Sequence, residues 1–174
     1  MALVLFLTGC AGKVQDHKDE DGVLIIYGEG LIPVYPDPTM STLHFIASQR
    51  FSESLASEFR TLGITTTVYP HRDKTVQIQE YPPLLLARKK RDALVLVMFF
   101  HKKDDVENSL YMQVTYRPLS YQVEPSRVLI GGEVNKKYYM FSDGFDNSKV
   151  QVSTLAKNFV IHLEQTGNLP RARH

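Results

Sequence analysis

The chain has no tryptophan, a single cysteine and almost no net charge: its 174 residues carry 20 Lys and Arg against 19 Asp and Glu. Each shortage closes off a class of protein. One cysteine cannot build the paired framework that staples small secreted domains. A formal charge of +1 provides no field for steering nucleic acid or coating a membrane surface. The six histidines are scattered, and none lies three or four residues from another histidine or from Cys10, so local spacing supplies no zinc site. No Gly-x-Ser-x-Gly elbow is present. No repeat of fixed period and no low-complexity tract appear. After residue 10 no apolar run approaches the roughly 20 residues of a membrane-spanning helix. These shortages lead to the expectation of a protein that is not an enzyme and holds neither cofactor nor metal.

What is present starts at Met1-Ala2-Leu3-Val4-Leu5-Phe6-Leu7-Thr8-Gly9-Cys10. The apolar run is too short to span a bilayer but matches the core of a secretory signal, roughly 7–15 residues. A phosphate-loop reading of Gly9 to Lys13 fails, because that motif needs Gly at Leu7 and Ser or Thr at Val14. Leu7-Thr8-Gly9-Cys10 resembles the lipobox of bacterial lipoproteins: an aliphatic residue, two small residues, then cysteine. The resemblance implies diacylglycerol on the Cys10 sulfur, cleavage before Cys10, and acylation of the new amino terminus. Residues 1–9 are then the remnant of a signal peptide, since no Lys or Arg precedes Cys10 as in a full leader. Ala11, rather than an acidic residue, follows the cysteine. That choice resembles delivery to the outer membrane, with the domain facing the periplasm.

Residues 10–22 read as a lipid-anchored flexible tether, with almost no apolar mass to order them. Asp19, Asp21 and Gly22 do not complete a calcium loop, which needs an acidic or amide residue at His17 and Glu at Gly28. Residues 23–167 hold the expected domain, followed by a basic tail over 168–174. Val23 to Tyr27 reads as a buried strand and residues 28–40 as a loop. From Ser41 to Leu62, Leu43, Ala47, Phe51, Leu55, Phe59 and Leu62 form one helical stripe, capped by Ser41 or Thr39 and stopped by Gly63. Ile64 to Tyr69 is β-rich, so strand, helix and strand predict a parallel βαβ unit. Pro82-Pro83 and the following leucines predict a short helix ending in Arg88-Lys89-Lys90-Arg91. Leu94 to Phe100 should be a central strand buried on both faces. Leu110 to Tyr121 alternates as a half-exposed antiparallel strand. Arg127 to Ile130 starts another, with a bulge or bend at Gly131-Gly132 and a continuation over Lys137 to Phe141. Val152, Leu155, Phe159 and Leu163 mark a last helix, stopped by Gly167.

The predicted fold class is α/β of mixed α+β kind: a single mixed sheet with two main helices packed on it. This order of elements is similar to the domain of several envelope lipoproteins: the curli-secretion type, the TolB amino-terminal type and the activators of peptidoglycan synthases. The candidate partner surface joins Tyr111, Tyr116, Tyr121, Tyr138 and Tyr139 with the basic run Arg88, Lys89, Lys90 and Arg91, because tyrosine is favoured at interfaces. His44 and His162 read as edge-of-core imidazoles, and Asp143 and Asp146 as caps of the final helix. The functional expectation is an accessory or assembly factor that binds another envelope protein. The alternative is a binder of a small ligand or lipid in a pocket beside the sheet.

Overall fold

Five residues, Val23–Tyr27, make the first strand, β1, and every one of them is buried. An aliphatic run without polar alternation is what a strand covered on both faces requires. The computed structural model describes residues 22–28, 38–71, 91–103, 108–122, 127–140 and 149–170. After β1 come helix α1 (Pro38–Thr61), β2 (Thr66–Pro70), β3 (Ala93–Lys103), β4 (Asn108–Gln122), β5 (Arg127–Ile130), β6 (Val134–Met140) and helix α2 (Lys149–Gln165). The strands form one mixed sheet in the order β2-β1-β3-β4-β5, with β6 also paired to β4. β1 runs parallel to both β2 and β3, and β3 runs antiparallel to β4. The fold is therefore α/β with a mixed sheet, and the parallel βαβ unit read from the sequence is present. The predicted short helix over Pro82 to Arg91 lies outside the described residues, except for Arg91 itself.

Alternate side chains sort onto the two faces of the sheet. Val23 and Ile25 of β1, Val95, Val97 and Phe99 of β3, and Met112, Val114 and Tyr116 of β4 share one core with both helices. Phe51, Leu55 and Phe59 come from α1, and Phe159 and Leu163 from α2. On the opposite face Leu24, Ile26, Leu94 and Leu96 form a second buried cluster, joined by Tyr69, Met98 and Leu119. Full burial of one such aliphatic side chain contributes about 1.5–3 kcal/mol. β3 is the central strand that its hydrophobicity predicts, but its far end emerges, and Phe100 is 37% exposed.

α1 starts at Pro38 rather than Ser41, taking Pro38 to Met40 from the expected loop. Proline suits a first helical turn, where no intrahelical donor is needed. Thr39 and Ser41 thus lie within the helix and do not cap it. The ends of the predicted stripe are also exposed, Leu43 at 37% and Leu62 at 42%. Both helices stop in the same way. Gly63 at φ 73° and Gly167 at φ 68° turn the chain left-handed. The Ile64 amide then donates to the Phe59 carbonyl and the Asn168 amide to the Leu163 carbonyl, at 3.0 and 2.8 Å. This is the Schellman arrangement, which satisfies carbonyls the helix leaves open. The chain does not fray at once after α2: Leu169 packs against the main core, so the expected tail from Asn168 begins as part of the domain.

β4 and the strands after it form one long hairpin with a step in it. Leu119 pairs with Ile130, whereas Tyr116 pairs with Val134, so three steps along β4 face four along the return strand. The extra residue at Gly131–Glu133 is the predicted β-bulge. Gly131 is held there by its amide, which donates to the Pro118 carbonyl at 2.8 Å.

Glycine fixes both ends of β1. Gly22 has φ 114°, and a Cβ on it would stand 2.1 Å from the Thr65 carbonyl oxygen. Gly28 has φ 137°, and its Cβ would stand 2.2 Å from the His71 carbonyl oxygen. The Gly22→Ala substitution should therefore lower unfolding stability by at least about 2 kcal/mol, combining strain at a left-handed position with a backbone clash. Gly132→Ala, whose Cβ meets nothing within 4 Å, should cost less than about 1 kcal/mol. Urea midpoints of the two variants against the parent check both values.

Candidate functional site

Two places on the described surface bring polar chemistry together. The first lies where β1 and β3 begin. Asp92, one residue before β3, accepts the Gly22 amide at its Oδ2, 2.9 Å away. Its own amide donates to the Gly22 carbonyl, and its carbonyl accepts the Leu119 amide, each at 2.8 Å. One residue thus ties the starts of β1 and β3 to β4. Beside it is a cavity of about 350 Å³ lined by Asp92, Tyr116, Pro118, Asn168, Leu169 and Pro170, with Gly167 completing the wall. That volume lies at the lower end of the usual range for small-ligand sites, roughly 300–1,000 Å³. Burial, with a smaller contribution from the Asp92 charge, pushes the Tyr116 hydroxyl well above the ordinary phenol range. It is a neutral donor and acceptor at any physiological pH.

The second place is the sheet face turned away from the helices, on β3, β4 and β6. Phe100 pairs in register with Tyr111, and their rings stack at 5.4 Å. Lys137 places its ammonium 5.0 Å from the centre of the Tyr111 ring. Further along, Arg117 Nε donates to Glu133 Oε2 at 2.8 Å, and Asn135 Nδ2 donates to Glu133 Oε1. Thr115 Oγ1 donates to Asn135 Oδ1 at 2.6 Å. The Asn135 hydrogen bond, followed by that from Arg117, holds the Glu133 carboxyl below the usual carboxylate range. Both partners of the Arg117–Glu133 pair are more than a third exposed at the side chain, so solvent screens the pair and it adds little to the stability of the fold.

The structure divides the surface predicted from the sequence. Tyr111 lies on the open face. Tyr116 is 2% exposed and sits in the core on the other face. Tyr138 packs against that core, and its hydroxyl donates to the Leu155 carbonyl of α2 at 3.3 Å. The reason is strand parity: Tyr116 lies an odd number of positions after Tyr111 on the same strand, so the two point to opposite faces. Tyr139 pairs in register with Tyr111 and Tyr121 with Val128, but their side chains lie outside the described set. Arg88, Lys89 and Lys90 also lie outside it. Arg91 is no surface cation: it is 1% exposed, and its Nη2 donates to Thr67 Oγ1 of β2 at 2.9 Å. A charge run predicts solvation for its members on average, and the member next to the central strand is carried inside with it. Asp143 and Asp146 lie outside the described residues.

His44 is buried at 1% and stacks on Phe99, rings 4.7 Å apart and 8° from parallel. It is deeper than the expected edge-of-core position, whereas His162 is half-buried as read from the sequence. The sequence reading passed over Asp92 and His71. An acidic residue directly before the most hydrophobic strand is the signal that was available for Asp92. Among the described residues no group of His, Cys, Asp and Glu forms a metal cluster. No described helix is long and apolar enough to cross a membrane.

No protein-family model matches this chain, and no curated protein does. Among solved structures, the PelC dodecamer from Paraburkholderia phytofirmans is 12% identical, with 90% of this chain and 89% of that chain covered and a TM-score of 0.36. The hypothetical protein CT253 from Chlamydia trachomatis is 11% identical, with 83% and 96% covered and a TM-score of 0.37. Likeness at these scores carries no functional argument.

The buried tyrosines make stability depend on alkaline pH. Desolvation pushes the Tyr138 hydroxyl up to about 12. A folded-state pKa above the unfolded value means the native state keeps its proton where the unfolded chain loses it. Stability should therefore stay level up to about pH 10 and fall as pH rises towards 12. The Tyr138→Phe variant should lose part of that fall, measured by urea unfolding at pH 8, 10 and 11.

Proposed function

We propose that the chain is an outer-membrane-anchored lipoprotein whose folded domain binds another envelope protein as a non-enzymatic accessory or assembly factor. The carrying observation is Leu7-Thr8-Gly9-Cys10, the four residues that resemble a lipobox. The fold is compatible with an anchor at that distance. β1 begins at Val23, so residues 11–21 between Cys10 and Gly22 reach at most roughly 40 Å. More than one acyl chain is needed for stable anchoring, at about 0.8 kcal/mol for each buried methylene. Tyr116 and Arg91 lie in the interior and Tyr138 packs against the core, which leaves Tyr111 as the member of the expected surface whose described side chain lies on the other face, where Phe100 and Lys137 join it. Two stacked rings and a cation on an open sheet face have the composition of an interface centre.

Replacing Cys10 with Ser should release the protein from the membrane fraction and remove the mass of the acyl groups. An unchanged fraction and an unchanged intact mass would remove the anchor reading. In-cell crosslinking of the parent should recover one specific envelope protein, and Phe100→Asp should reduce that yield at least about fivefold, the loss expected when a central aromatic contact is broken. Equal yield from both would place the partner elsewhere.

A second reading is favoured by one observation, the cavity beside Asp92. In that reading the domain takes up a small ligand while the lipid only positions it.

A further inference from the structure

The two edges of the sheet differ. β2 forms one of them: five residues, half-buried throughout and ending in Pro70. A short strand with a proline discourages pairing. β6 forms the other, with β5 beyond the bulge. Among the described residues its seven positions pair with β4 alone, and none of them is proline. A strand paired on one side leaves alternate amides and carbonyls open on the other. Asn135, Lys136 and Lys137 are exposed there.

This edge is cationic on both sides of the sheet. Val134 and Tyr138 pack against the core under the helices, so Lys136, which shares their alternation, stands on that side. Lys137 stands on the opposite side, its ammonium 5.0 Å from the centre of the Tyr111 ring. Neither lysine is paired with an acid among the described residues. Glu133, the acid beside the strand, is occupied by Arg117 at 2.6 Å and by Asn135.

Cations on opposite sides of one edge select by shape as well as by sign. A flat anionic surface, such as a bilayer, meets one side of a sheet and reaches one of the two lysines. An added strand alternates its own side chains across the same plane, so adjacent residues of it reach both. A second copy of β6 would gather the lysines of both chains on one seam, where like charges repel. We propose that β6 takes up, by strand addition, an extended segment of a partner protein that carries acidic residues at two adjacent positions. The backbone supplies the pairing. Lys136 and Lys137 supply the selection, turning away other strands and admitting this one. The proposal deepens the reading of a protein partner by naming what that partner presents beside Lys137. It rests on that reading for the existence of a partner and is independent of the anchor.

The probe is a short threonine–valine peptide with a pair of glutamates at its centre, compared with the same peptide carrying lysines there. Titrated at low ionic strength into the full chain carrying Cys10→Ser, the glutamate peptide should bind at least about tenfold more tightly, a preference that shrinks with added salt. Amide exchange along Asn135 to Tyr138 should slow in the complex. Lys136→Glu and Lys137→Glu together should keep the urea midpoint, since both side chains are exposed, and should reverse the preference. Lys136→Gln with Lys137→Gln should abolish it. A glutamate peptide N-methylated at alternate residues cannot donate to an edge and should bind at least about tenfold more weakly. Equal affinity for the two peptides, or undiminished binding of the N-methylated one, overturns the proposal. So does a parent that sediments with phosphatidylglycerol vesicles while its glutamate variant does not, because the lysines then belong to a membrane. Exchange along β6 that slows with protein concentration alone overturns it too, because a second copy then closes the edge. Crosslinking of Phe100→Asp tests the face of the sheet and peptide preference tests its edge, so either can fail without the other.

Discussion

Closure of the sheet depends on one short strand held at both ends by backbone that admits no side chain. β1 contributes five residues, yet it is the partner of both other parallel strands. At its start the Gly22 carbonyl accepts the Asp92 amide, and the Val23 amide donates to the Thr65 carbonyl at 2.8 Å. At its end the Tyr27 carbonyl accepts the His71 amide. Each clamp needs the backbones closer together than a Cβ permits, which glycine alone provides. With β1 fixed, the rest of the geometry follows. β2 and β3 are set in register, α1 is laid over the face between them, and Asp92 arrives at the mouth of a cavity. The parallel half of the sheet is thus specified by contacts between residues far apart in sequence, which folding must close against chain entropy.

Much of this was legible in the sequence, and the failures have physical causes. Period signals worked wherever a face is fully buried: β1, the central strand, and the stripes from Ala47 to Phe59 and from Val152 to Leu163 were read as they stand. Stop signals worked because a left-handed helix end has a strong glycine preference, satisfied by Gly63 and Gly167. The bulge at Gly131-Gly132 was visible because a glycine pair inside a strand pattern marks an interruption of the ladder. Boundaries were less legible. Pro38 opens α1 because proline is at home in a first turn, but the neighbouring prolines made the whole segment read as loop. The candidate site was the least legible part. Tyrosines were grouped by abundance when alternation separates Tyr111 from Tyr116. Arg91 was grouped with its cationic neighbours when its position before β3 takes it into the interior to reach Thr67. Asp92 could not be recognised as a wall of a cavity, because the other wall comes from residues after α2.

The two faces of the sheet do different work. The face under the helices is a continuous apolar core, at whose edge the Tyr138 hydroxyl donates to the Leu155 carbonyl. The opposite face changes character across its width. It is apolar on β1 and β3, then becomes a ladder of Thr115, Asn135, Glu133 and Arg117 on β4 and β6. Stacked rings at Phe100 and Tyr111 mark the far end of that face. The described surface therefore carries an aromatic and cationic patch across β3, β4 and β6 and, where β1 and β3 begin, a cavity walled by Asp92 and the residues after α2.

The extra residue between Ile130 and Val134 carries a constraint on how this hairpin can change length. Ile130 and Val134 are an even number of positions apart, yet they pair with Leu119 and Tyr116, which lie on opposite faces of the sheet. Removal of one residue from Gly131–Glu133 would leave three steps facing three, so β5 and β6 could both keep their partners on β4 and the ladder would run straight through. Removal of two would leave the return strand a residue short, and one of the two pairings would have to slip, carrying its side chains to the wrong face. The hairpin thus holds a single residue of slack.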